Sequence, residues 1–150
     1  MKFLKLPIAL LGLALVPMLL SAAPTMSQEI LKPISPRFTP DPQVYSSQTS
    51  GDQPLQSIAT SNVNGQCQGL AAQKPNHSLM VQKNFGFLSL KVTGDRDLSL
   101  LVKGPDGIYC RNGKSPELSG AWISGKYEVW VGTANGDLTS YQLFISETSQ

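Results

Sequence analysis

From Gly65 onward the chain is a succession of short segments in which apolar residues fall at every second position, each closed by glycine or proline. A period of two is the spacing of a strand with one buried face. No stretch of this region sustains the helical period. "HSLMVQ" reads as a short strand. "FGFLSLKVTG" places Phe85, Phe87, Leu88, Leu90 and Val92 in alternation, with a change of phase beside Gly86. "DLSLLVKG" keeps Leu98, Leu100 and Val102 in phase, and Leu101 breaks the polarity as a strand covered on both sides does. "GPDG" turns the chain: Pro105 fixes φ and Gly107 tolerates a positive φ. "IYC" begins a return strand and "AWI" another. "GKYEVWVG" sets Tyr127, Val129 and Val131 against Lys126, Glu128 and Trp130, and "LTSYQLFIS" aligns Tyr141, Leu143 and Ile145. With no helical segments to serve as crossovers, an α/β fold is a poor fit. The expectation is all-β: a small antiparallel β-sandwich, jelly-roll-like, of about 7–8 strands.

The region before it has a different texture. Lys2 and Lys5 precede an almost wholly apolar run from Leu6 to Leu20, followed by the small residues Ser21, Ala22 and Ala23. This is the pattern of a secretory signal peptide, expected over residues 1–23. The rival is a transmembrane anchor. The run is shorter than the about 17–25 residues a spanning helix needs, and Pro7 and Pro17 interrupt it. An exported protein is expected, periplasmic or extracellular, with no membrane span after cleavage. Residues 24–61 hold Pro33, Pro36, Pro40, Pro42 and Pro54 among many Ser, Thr and Gln. Their apolar surface is too small to offset the entropy of ordering them. They read as an extended linker with a short strand near Leu55–Ala59, and the folded domain is expected over 62–150.

The chain has twelve Lys and Arg against ten Asp and Glu, and without Lys2 and Lys5 the balance is ten against ten. That neutrality leaves no basic patch for nucleic acid or an anionic membrane surface. Cys67 and Cys110 are the two cysteines. In an exported chain they are expected to pair, closing a loop of about 43 residues and adding roughly 2–4 kcal/mol. The alternative is two free buried thiols. Their spacing rules out a CxxC redox centre, and two thiols with one histidine are too few for structural zinc.

Residues able to carry chemistry are sparse. His77, the single histidine, stands just before a strand in "KPNHSL" and reads as structural. Asn76-His77-Ser78 matches a glycosylation acceptor, which matters only in a eukaryotic secretory pathway. No serine sits in a G-x-S-x-G elbow. Hydrolysis by carboxylates needs two acids facing each other across a pocket. Asp95 and Asp97 are i,i+2 neighbours and the candidate calcium ligands, with Asp106 and Asn112 as further oxygens. Arg111 and Lys114 stand where more acids would help. Among the aromatics, Tyr127 and Tyr141 are in phase with the core. Trp122, Tyr127, Trp130 and Tyr141 are candidates for a sugar or peptide platform. Trp130 points to the opposite face from Val129 and Val131 and is the candidate binding residue, with packing beneath the linker as the other reading.

"GDRDLSLLVKGPDGIYCRNG", followed by "SGKYEVWVG" and "SYQLFIS", resembles the bacterial pre-peptidase C-terminal domain and related exported domains. In those domains an aspartate opens a strand that leads to a "GPDG" turn, and a "G-x-Y-x-V-x-V" strand and a final "Y-x-L" strand follow. The matching residues are Asp97, Gly104 to Gly107, Gly125 to Val131 and Tyr141 to Leu143, within a stretch from about Gly65 to Ser146. The resemblance implies a compact, exported, non-catalytic β-sandwich, sometimes binding calcium or matrix polymers such as collagen. Many relatives carry acids after the cysteine that matches Cys110. Here Arg111 and Asn112 replace them, which weakens a calcium role. The expected function is a non-catalytic binding or scaffolding module of the cell envelope, with an envelope protein or polysaccharide as partner. The alternative is a calcium-dependent polysaccharide- or protein-binding module. No other cofactor is expected, and oligomeric state is not legible.

Overall fold

The alternating segments form two facing sheets in a computed structural model that describes residues 27–60 and 63–149. The expected signal peptide and the 61/62 boundary lie outside the described residues. Eight strands of five residues or more are present: β2 (Gln43–Thr49), β6 (His77–Val81), β7 (Phe85–Gly94), β8 (Leu98–Gly104), β9 (Gly107–Gly113), β10 (Glu117–Trp122), β11 (Gly125–Gly132) and β12 (Thr139–Ser146). Four two-residue strands accompany them: β1 (Glu29–Ile30), β3 (Gln53–Pro54), β4 (Val63–Asn64) and β5 (Leu70–Ala71). One sheet runs β1-β6-β11-β8-β9-β4, the other β10-β7-β12-β2, and β3 and β5 form a small ribbon.

Counting only the long strands, the first pairs with the eighth, the second with the seventh, the third with the sixth and the fourth with the fifth, all antiparallel. That is a long hairpin rolled over on itself, which is the jelly roll. The expected sandwich and strand number therefore hold.

The linker does not. Residues 43–49 are β2, the first strand of the roll, and pair with β12 from Gln43↔Ile145 to Thr49↔Thr139. Leu31 and Ile34 are buried in the core between the sheets. A short helix α1 (Leu55–Ala59) stands where a strand was expected. Its apolar residues Leu55, Ile58 and Ala59 follow the i, i+3, i+4 spacing of one helical face, and Pro54 precedes it. The expected domain start at 62 therefore omits a sheet strand and part of the core.

Two apolar clusters result. The larger lies between the sheets and takes the in-phase residues of each strand, such as Leu88, Leu90 and Val92, Leu98, Leu100 and Val102, and Tyr141, Leu143 and Ile145. The smaller lies on the outer face of the larger sheet, where Leu101, Cys110 and Trp130 are covered by Leu55, Ile58, Ala59 and Ala71. This explains Leu101, whose strand is buried on both sides. The phase change beside Gly86 is a β-bulge: Leu88 pairs with Gly120 and Phe85 with Trp122, so Gly86 and Phe87 together face Ala121.

Candidate cleft between β9 and β10

β9 and β10 are joined in sequence but lie in different sheets, and the sandwich is open between them. Along β10, Leu118, Gly120 and Trp122 lie opposite Leu90, Leu88 and Phe85 of β7 and face inward. Gly120 itself is half-buried, and a Cβ built on it would meet nothing within 4 Å and would project into open space. Its φ of 143° is one that L side chains rarely adopt, so the position is kept as glycine by its backbone. The cavity between the two strands, of about 120 Å³, is bordered by Leu118, Trp122 and Tyr127 on the apolar side and by Asp106, Tyr109 and Arg111 on the polar side, with Ser119 and Ala121 of β10 at its rim.

Each wall is held by packing or hydrogen bonds. Gly104, the first residue of the "GPDG" turn, lies under the Tyr127 ring, where a Cβ would come within 2.1 Å of Cε1. The Tyr127 hydroxyl donates to the Ile123 carbonyl at 3.0 Å. Burial, and secondarily the Asp106 carboxylate, push its pKa up. The Tyr109 hydroxyl donates to the Asp106 carbonyl at 3.2 Å. Arg111 Nη1 donates to the carbonyls of Cys110 at 2.7 Å and Asn64 at 3.3 Å, and Asn112 Nδ2 to that of Gln66 at 2.6 Å. Arg111 and Asn112 thus bind backbone oxygens of the segment carrying Cys67. Cys67 and Cys110 are bonded to each other, with Cα atoms 5.2 Å apart.

Of the residues singled out from the sequence, Trp122, Tyr127 and Asp106 border this cleft, and Trp130, Tyr141, Asp95, Asp97 and Asn112 do not. Trp130 is 5% exposed, its Nε1 donating to the Gln73 carbonyl at 3.3 Å and its ring 5.5 Å from Lys103 Nζ. A ring so covered presents no face to a ligand, which corrects its expected binding role. Asp95 and Asp97 are exposed in the bend between β7 and β8. Arg96 lies between them and reaches Asp137 at 3.7 Å. Among the described residues no three His, Cys, Asp or Glu side chains cluster to hold a metal. Calcium takes about 6–8 oxygens, and Asp106 is at the opposite end of β8, so two exposed carboxylates flanking a guanidinium are a poor donor set.

His77 is the first residue of β6 and fully buried, with Nε2 2.6 Å from the Tyr141 hydroxyl. Glu29 Oε2 lies 3.1 Å from Nδ1, off the line of a hydrogen bond, so Nδ1 has a nearby carboxylate but no hydrogen bond. Burial lowers the His77 pKa to about 4, leaving the ring neutral near pH 7. The acceptor pattern at Asn76 is closed in the folded chain, because Asn76 Oδ1 is buried and accepts from the Val131 amide at 2.8 Å.

With this geometry established, comparison with known proteins adds the following. No family model matches the chain. An uncharacterized protein of Synechococcus elongatus is 29% identical to it, over 52% of this chain and 63% of that one, so the match spans less than two thirds of the relative. A solved structure, the pre-peptidase C-terminal domain of collagenase from Bacillus anthracis, is similar at 10% identity. It covers 83% of this chain and 100% of that one with a TM-score of 0.47. That is the kind of domain the sequence motifs resemble.

Proposed function

We propose that this chain is a non-catalytic, exported binding module of the cell envelope, periplasmic or extracellular, which holds its partner at the cleft between β9 and β10. The observation that carries this reading is the cavity between the two sheets, bordered by Leu118, Trp122 and Tyr127 on one side and by the hydrogen-bonding groups of Asp106, Tyr109 and Arg111 on the other. A site of this kind, apolar with a few placed polar groups, is how proteins hold small groups of a larger ligand. Export is supported by the apolar start of the sequence and by a disulfide, a bond that persists in oxidising compartments. A binding role is favoured over catalysis because the single histidine is enclosed against Tyr141 and the exposed acids Asp95 and Asp97 line no part of the cleft.

The test is co-sedimentation of the purified full-length protein with isolated envelope fragments of the cell that makes it. Ala121→Arg fills the cleft mouth from an exposed position and should leave the fold intact by circular dichroism. The native protein is expected to pellet with the fragments and the variant to remain in solution. Equal pelleting of both would remove the cleft from the function.

A further inference from the structure

We infer that the ligand of this cleft is an extended peptide, added as a strand along the outer edge of β10, with one aliphatic side chain filling the cavity bordered by Leu118, Trp122 and Tyr127. The inference rests on the cleft being the binding site and names what enters it.

Successive residues of a strand point to opposite faces. Leu118 and Trp122 face the core and Ser119 and Ala121 face away from it, yet all four border the same cavity. A cavity touching residues of both faces must front the edge of the strand. β10 is the last strand of its sheet, paired with β7 on one side and with no strand on the other among the described residues. Its outward N–H and C=O groups therefore form part of the cleft wall. A row of unpaired backbone groups is a template for another strand, and pairing at such an edge with alternate side chains seated in pockets is a recurrent mode of peptide recognition.

The cavity floor, Leu118, Trp122 and Tyr127, is buried in the core cluster, and the Tyr127 hydroxyl is already bonded to the Ile123 carbonyl. A sugar ring pushed onto this floor would leave hydroxyls facing Leu118 and Trp122 without partners, which is costly. An aliphatic side chain has no such groups, and its backbone would meet the polar edge. The cavity has room for one medium-sized apolar side chain rather than for a large ring system. The rim carries both an acid, Asp106, and a base, Arg111, so no net charge is demanded of the peptide. The other free edges lack this combination: β1 and β4 are two residues long, and β2 turns Gln43 and Thr49 inward, where both are buried.

The experiment is amide NMR of the full chain, following Tyr109, Ser119, Gly120 and Ala121. The probes are capped heptapeptides of alternating Ser and Thr with Leu, Ala or Asp at the centre, a backbone N-methylated copy of the Leu peptide, and maltotriose and chitotriose. The Leu peptide is expected to shift these signals saturably. The Ala and Asp peptides should bind at least tenfold more weakly, and N-methylation at alternate residues should abolish binding. Equal binding of the N-methylated copy would overturn strand addition. Shifts with the sugars but not the peptides would overturn the peptide and keep the cleft as the site. No shift of these signals with either class would overturn both.

Discussion

Leu55 lies in a segment whose composition reads as an unfolded tether, and it is fully buried in the structure. The two descriptions give opposite forecasts for Leu55→Ala. In a disordered linker the substitution changes stability by nearly nothing. In the structure it removes the side chain that closes the smaller core over Trp130, with Leu55 Cδ1 only 2.8 Å from where a Cβ on Gly132 would stand. Replacing a buried leucine by alanine costs about 2–5 kcal/mol, from the lost transfer energy and the cavity left behind. Leu55 is fully buried in one cluster with Ile58, Ala71, Leu101 and Cys110, whose bridge to Cys67 limits how far the site can collapse, and about 3 kcal/mol is expected. For a domain of this size that lowers the melting temperature on the order of 10 °C. The assay is urea denaturation under non-reducing conditions, read by tryptophan fluorescence, because Trp130 is packed in the same cluster. Val44→Ala, at a position 45% exposed on β2, is the control and should change stability by less than about 0.5 kcal/mol. A Leu55→Ala protein as stable as the control would refute the claim that this segment is part of the fold.

Two further outcomes are expected. Replacing both cysteines by alanine releases a loop with a sequence separation of 43, which the loop-entropy relation values at about 4 kcal/mol; denaturation of the double variant measures it, and an unchanged midpoint would contradict the bridge. His77 has a folded pKa lowered to about 4 against 6.5 unfolded. Its contribution is therefore fully present above about pH 6.5 and declines as pH falls towards 4. The decline is at most about 3 kcal/mol at about 1.36 kcal/mol per unit, since the Glu29 carboxylate favours the charged ring. Native stability should fall across that window and His77→Gln should flatten the fall; parallel curves for the two proteins would contradict it.

The sequence made the sandwich legible because most strands bury one face, and alternation survives even in short segments. It also announced the bulge at Gly86 and the double burial of Leu101. β2 was illegible for a physical reason. Its inward residues are Gln43, Tyr45, Ser47 and Thr49, which satisfy themselves by hydrogen bonds such as Tyr45 to Gln43 and Thr49 to the Val131 carbonyl. A strand whose buried face is polar carries no hydrophobic period. α1 did carry a signal, the spacing of Leu55, Ile58 and Ala59, but five residues are too few for a sustained helical pattern. Of the cleft, only the aromatics Trp122 and Tyr127 were legible as candidates, because the cleft depends on which strand lies at the edge of its sheet and alternation does not report strand order. Trp130 drew attention as an out-of-phase aromatic, and the cover that hides it comes from the segment judged too polar to fold.

The central claim is that ligands meet this protein in the cavity between β9 and β10. Crystals of the mature protein soaked with a fragment library test it most directly. The account predicts fragments bound between β9 and β10, apolar parts against Leu118 and Trp122 and polar atoms on the backbone edge of β10. Fragments gathered elsewhere, with this space closed by the Tyr109 ring, would contradict it.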